Sequence, residues 1–197
     1  MRTRLTHRRG QRAAVLVLVV AMTALIGATT GLATSTALTF TAISVPPAPG
    51  DPQAEACIAQ YAPTFWTSGG ALHVRNFPTF EYLDGTTSEG GVIGGTGCTS
   101  WNADLRPADC LDFGSPNFGL CDGHEWGTAT NVLSLNGDPL GTWSGRYTGT
   151  HVDGAASGVS LTHEVGGADE SRLRIEYSYC LCGIRPTYAG TIFYPHG

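Results

Sequence analysis

The sequence predicts an all-β domain, a small antiparallel meander β-barrel of about seven or eight strands, braced by disulfides and preceded by an N-terminal signal peptide. Three observations carry that expectation. Beyond the first 33 residues the polarity alternates with a period of two in several stretches, and no long 3.6-residue periodicity occurs. Short segments rich in Gly, Asn and Asp separate those stretches. All six cysteines lie in the same part of the chain.

The leader comes first. Arg2, Arg4, Arg8, Arg9 and Arg12 form a basic start, Ala13 to Ile26 is mostly apolar, and small residues follow at Gly27, Ala28, Gly31 and Ala33. That order is the pattern of a secretory signal peptide over residues 1–33. Cleavage is expected after Ala33 or after Ala37, since each ends a small-x-small triplet. An uncleaved leader would instead anchor the chain, because about 20 apolar residues span a bilayer. Only in that case is a membrane partner expected.

Charge separates sharply between the two parts. Five of the eleven basic residues are the leader arginines, and all sixteen acids follow it. The exported part is strongly acidic, which argues against a nucleic-acid partner, since such binding needs a basic face. The chain has no lysine. That excludes a P-loop lysine, a Schiff-base lysine and a lysine general base.

Residues 34–53 contain Pro46-Pro47-Ala48-Pro49-Gly50-Asp51-Pro52 and are expected to be a proline-rich linker. A single barrel domain is expected over residues 54–197, with a short helix from Gln53 to Gln60. The expected strands are Ala71–Leu83, Thr96–Leu105, His124–Leu135, Leu140–His151, Gly158–Val165, Arg172–Cys180 and Thr187–Tyr194. Asn136-Gly137-Asp138-Pro139, Asp153 to Ser157 and Gly166 to Asp169 supply turns, so the last four strands should form a meander. Gly90 to Gly97 is expected to be a loop entering a strand.

Cys57, Cys98, Cys110, Cys121, Cys180 and Cys182 are expected to form disulfides, the ordinary fate of an even count in an exported chain. Cys110 and Cys121 flank a Gly-, Pro- and Asn-containing loop that one bridge would close. Cys180 and Cys182, one residue apart, are expected to take distant partners, Cys57 and Cys98.

Alternation assigns faces. Trp143 and Tyr147 share one with Gly141, Gly145 and Gly149; Val159, Leu161, His163 and Val165 share another; Leu173, Ile175, Tyr177 and Tyr179 oppose Arg172, Arg174, Glu176 and Ser178. The apolar sets should point inward, with glycines leaving room for bulky neighbours in a strongly curved barrel.

The stretches Leu72-His73-Val74-Arg75-Asn76, Gly141-Thr142-Trp143-Ser144-Gly145-Arg146-Tyr147-Thr148-Gly149 and Tyr188-Ala189-Gly190-Thr191-Ile192 resemble uncharacterised small bacterial secreted proteins with a calycin-like or allene-oxide-cyclase-like β-barrel. The Trp143 strand also resembles a strand of the avidin group, and Gly141-x-Trp143 is similar to the lipocalin glycine-tryptophan pair. In lipocalins that pair lies on the first strand, whereas here it falls in mid-chain. The resemblance implies a fold, and no ligand-binding residue is carried over from it.

Trp143, Tyr147, His163 and Tyr177 are therefore the expected lining of the barrel. A histidine there could transfer a proton, and tyrosines could orient a ligand's oxygens. No metal site is expected: His124-Glu125 and His163-Glu164 are strand neighbours that point to opposite faces, and no H-E-x-x-H occurs. His73, His151 and His196 are expected at the surface or at strand ends. Arg172, Arg174 and Glu176 are expected to form a solvated outward ladder. No serine has glycine at both second neighbours, so a nucleophile elbow is absent, and no cofactor is expected. Glu81, Glu125, Glu164 and Glu176 all fall in expected strands as candidate carboxylates.

Three functions fit this reading. The chain is expected to be a non-enzymatic barrel that binds a small, partly apolar molecule or a surface partner. The second is a barrel-cyclase-like enzyme with His163 or Glu176 assisting proton transfer at the mouth. The third is a structural cell-surface module whose barrel is filled by side chains. A cavity separates them, because an eight-stranded barrel is either filled or holds about one small ligand.

Overall fold

The computed structural model describes residues 36–167, 170–181 and 184–195. The leader, Cys182 and His196 lie outside them. Nine strands and one helix follow in chain order: β1 (Ala37–Val45), α1 (Pro52–Ile58), β2 (Thr64–Ser68), β3 (Ala71–Thr87), β4 (Val92–Arg106), β5 (Asp122–Leu135), β6 (Asp138–Val152), β7 (Ala155–Glu164), β8 (Arg172–Cys180) and β9 (Ile184–Phe193). From β2 to β9 each strand pairs antiparallel with the next. β1 pairs with both β9 and β3, so β1 and β3–β9 close an eight-stranded antiparallel barrel. β2 stays on the free edge of the first half of β3.

The closing strand corrects the expectation of a linker over residues 34–53. Leu38, Phe40, Ala42 and Ser44 alternate with exposed Thr39, Thr41 and Ile43, and both edges of the strand are paired. Its alternation was hidden by the prolines immediately after it, which do begin a turn. Asp51 caps α1, its Oδ1 accepting from the Gln53 and Ala54 amides at 2.8 and 3.1 Å, while Oδ2 accepts from Tyr82 Oη at 2.6 Å. Pro52 opens the helix, where its missing N–H costs nothing.

Two local geometries set which residues face inward. In β3, Asn76 has φ 53° and the register shifts, so that Val74 opposes Ala103 and Phe77 opposes Trp101. That bulge keeps Val74 and Phe77 both on the inner face although they are an odd number of residues apart. Between β6 and β7 the turn is Asp153-Gly154 alone, with φ 49° and 79°, the values of a two-residue hairpin. β7 therefore starts at Ala155 rather than Gly158, and its faces are the reverse of those expected. Ala156, Ser160 and Thr162 are buried, while Leu161 and Val165 are exposed. The stretch expected as a loop, Gly90 to Gly97, is a turn only as far as Gly91 and then runs as β4.

Apolar clusters occupy opposite ends of β3 and β4. One contains Phe40, Leu83, Ile93, Leu133, Trp143, Leu173 and Ile192. The other contains Val74, Ala103, Leu105 and the Cys110–Cys121 bridge, which closes the β4–β5 loop as expected. Cys57 pairs with Cys98 and fixes α1 against β4, with a Cα–Cα distance of 5.9 Å. This corrects the expected pairing of Cys57 and Cys98 with Cys180 and Cys182, because α1 packs on β3 and β4 rather than near β8. Cys180 is disulfide-bonded. Bridges of this kind suit an oxidising, extracellular-type environment. Among the described residues no helix is long and apolar enough to cross a membrane.

Candidate functional site

Between the two apolar clusters the barrel holds a cavity of about 310 Å³, within the usual range for a small-molecule site. The sheet register explains both its contents and its opening. One cross-strand row runs Ala103, Glu125, Gly149, Gly158, Tyr177, Tyr188 through β4 to β9. Two glycines in succession leave a gap that the Tyr177 ring fills, and its hydroxyl donates to Glu125 Oε1 at 2.6 Å. A β-carbon at Gly149 or Gly158 would lie 2.4 or 2.2 Å from that hydroxyl. The glycine pair thus sets the reach of the tyrosine.

Glu125 is 1% exposed and accepts from three further donors at Oε2: Trp101 Nε1 at 2.7 Å, His151 Nε2 at 2.8 Å and Tyr179 Oη. Burial raises its pKa, but the bonds from His151, Tyr177, Tyr179 and Trp101 outweigh it and hold the carboxyl below its ordinary value. A buried carboxylate needs such compensation. With its lone pairs engaged, Glu125 acts as an anchor for the aromatic wall. His151 Nδ1 has no partner among the described residues, which suits the tautomer with its proton on Nε2.

Glu81 lies on β3, two strands from Glu125 in the sheet. Tyr188 Oη donates to its Oε1 at 2.5 Å. Here burial dominates over the bonds from Tyr188 and Ser44, so the carboxyl is pushed up. The two cavity carboxyls are therefore driven in opposite directions. All four tyrosines of the wall commit their protons to protein acceptors: Tyr177 and Tyr179 to Glu125, Tyr188 to Glu81, and Tyr147 to the Ser100 carbonyl at 3.3 Å. Burial raises the pKa of each, so they remain phenols with acceptor oxygens.

Two cavity-lining groups have no internal partner. Asn131 Nδ2 and Ser160 Oγ belong to residues 6% and 5% exposed, and neither makes a hydrogen bond among the described residues. Such groups are uncommon in a folded interior and costly to leave unpaired.

The opening lies where β1 stops. Val45 opposes Tyr82, so from Glu81 back towards Phe77 the strand β3 has no β1 residue beside it, and β1 meets β9 only from Thr187 onward. Phe77, Thr79 and Glu81 line one side of that gap and Pro186 and Tyr188 the other. Pro186 sits at a register break in β9, where no ladder donor is required of it.

Of the residues expected to line the barrel, Tyr147 and Tyr177 do so. Trp143 is fully buried beneath the cavity in the apolar cluster, donating from Nε1 to Ser171 Oγ at 2.9 Å. His163 is on the outer face, a correction that follows from the two-residue β6–β7 turn. Glu176 is also outside, paired with Arg174 at 2.6 Å, as a solvated ladder requires. His151, expected at the surface or at a strand end, is the penultimate residue of β6 and is only 2% exposed. His73 is half-buried against Asp104 at 2.7 Å and stacks on Trp66. Among the described residues no group of three or more His, Cys, Asp or Glu side chains is arranged to hold a metal ion.

Sequence reasoning missed Glu125 in its anchoring role, together with Trp101, Asn131, Ser160 and Tyr188. One signal was present: Glu125, Gly127, Ala129, Asn131 and Leu133 share a face of β5, and a carboxylate and an amide on an otherwise small or apolar face mark a polar interior. Comparison with protein-family models, with curated proteins and with solved structures found no match.

Proposed function

We propose that this chain is a secreted, non-enzymatic β-barrel protein that binds a small, partly apolar molecule inside the barrel. The observation that carries this reading is the cavity itself, walled by aromatic rings and lined by Asn131 and Ser160 with no partner of their own. A ligand with an apolar body and a polar group would satisfy both the wall and those two side chains. A filled structural barrel would leave them unpaired for no return. The leader pattern and the bridged cysteines support export, and the resemblance to secreted calycin-like barrels agrees with a carrier role.

The test is a native mass spectrum of protein purified from its own culture medium and re-equilibrated with concentrated medium. A small bound mass that leaves on denaturation is expected. A spectrum of the bare polypeptide after that treatment overturns the reading.

The barrel-cyclase-like reading has one specific observation behind it. Glu81, more readily protonated because it is buried, lies beside the opening where it could give a proton to a substrate. Conversion of the bound molecule into an isomer on prolonged incubation, lost in Glu81→Gln, would move the protein to that class.

A further inference from the structure

We infer that the cavity ligand is an organic cation, a protonated amine with an aromatic or aliphatic body, held between Glu81 and the faces of the surrounding aromatic rings. This rests on the small-molecule reading and narrows it. Charge gives the first argument. Among the described residues, the charged side chains lining the cavity are Glu81 and Glu125 and no arginine lines it; the chain has no lysine. A carboxylate or phosphate ligand would enter beside two acids with no cation to meet it, whereas an ammonium would be attracted by both.

The wall gives the second. Trp101, Tyr147, Tyr177, Tyr179 and Tyr188 all line the same space, and Tyr147 and Tyr177 meet edge to face with centroids 5.9 Å apart. Ring faces of this kind attract a desolvated cation, and aromatic enclosures are a recurring means of holding ammonium groups. Hydrogen-bond polarity gives the third. With the four tyrosine protons committed to protein acceptors, the phenol oxygens have only lone pairs left to offer, which an N–H-rich head group can use and a carboxylate cannot.

Asn131 and Ser160 specify the rest. Asn131 Nδ2 is a donor in need of an acceptor, and Ser160 Oγ can serve in either sense. They fit a hydroxyl or carbonyl elsewhere on the same molecule. The raised pKa of Glu81 fits too: an ammonium beside it would offset the burial that now disfavours its charge.

Three probes that share a phenyl ring and a short chain, 2-phenylethylamine, 2-phenylethanol and 3-phenylpropanoate, test the inference by isothermal titration calorimetry at neutral pH. The amine is expected to bind at least about tenfold more tightly than the alcohol, with the carboxylate weakest. In Glu81→Gln that preference should collapse while the alcohol still binds. This comparison is first made on the unaltered protein, so it does not depend on how a variant folds. Alcohol binding as tightly as amine, or carboxylate binding most tightly, overturns the cation and leaves the small-ligand reading standing. Binding of none of the three also overturns it, and the native mass spectrum then decides separately whether the barrel carries a ligand.

Discussion

Single residues carry opposite electrostatic tasks in this barrel. Glu125 is ionised in the fold more readily than in the unfolded chain, so its stabilising contribution is present above its ordinary value of 4.5 and is lost as pH falls through its lower folded value. Glu125→Gln should therefore destabilise at neutral pH, by about 3 kcal/mol or more given the charge-assisted bonds removed. Urea melts of variant and parent should converge in acid. Glu81 runs the other way. Its folded value lies above 4.5, so its ionised form is a cost to the fold at neutral pH that is absent below the unfolded value. Glu81→Gln should raise the melting temperature at pH 7, and the gain should fade as pH drops towards 4.5; a variant less stable than the parent at pH 7 would contradict the assignment. Trp143→Ala is a simpler test of packing. A fully buried indole with its N–H satisfied should cost about 3 to 5 kcal/mol, read as a shift of the denaturation midpoint.

At the scale of elements, the spacing of small residues across neighbouring strands matters more than the content of any one strand. Gly149 of β6 and Gly158 of β7 stand between Glu125 and Tyr177 in one row, and only their lack of side chains lets the two meet. Gly149→Ala should push the Tyr177 hydroxyl away from Glu125 and cost about 1 to 3 kcal/mol as an overpacked site. Tyr177→Phe removes the nearest of the colliding atoms, leaving Glu125 Oε1 and the Ser157 carbonyl oxygen at 2.8 Å, so the double variant should be more stable than the two separate losses predict. Additive losses in that cycle would show that the collision is not relieved. The strands β3, β4, β5, β6, β8 and β9 were legible from alternation, because each has one apolar and one polar face, and β8 was found with its observed bounds. The face of β7 was not. Leu161 and Val165 are exposed, so the more apolar set of that strand is the outer one, and only the length of the preceding turn fixes its register. His163 was misplaced for that reason. Tyr147 and Tyr177, on strands of conventional polarity, were placed correctly.

Over the whole molecule, closure depends on a segment that its neighbours disguised. Nine residues before a proline run read as a tether, yet β1 supplies the seam between β3 and β9. Pairing of that kind joins residues far apart in sequence and cannot be read from local pattern. A chain beginning at Pro46 should lack the cooperative thermal transition of the intact domain, since the β3 and β9 edges and the core residues now covered by Phe40 and Ala42 would open to solvent. A sharp near-UV transition retained in that truncation would mean that β1 is dispensable. The polar interior was equally hidden, because Glu125, His151 and Tyr179 come from three strands and are gathered only by the finished sheet. The seam also has a temporal meaning. A ribosome makes β1 first among the strands and its partner β9 last, so one edge of β1 stays open until synthesis of the domain is almost complete, even if the other has already met β3. Folding should consequently be slow and late, as for other topologies dominated by distant contacts, and the barrel stays unclosed until its last strand arrives.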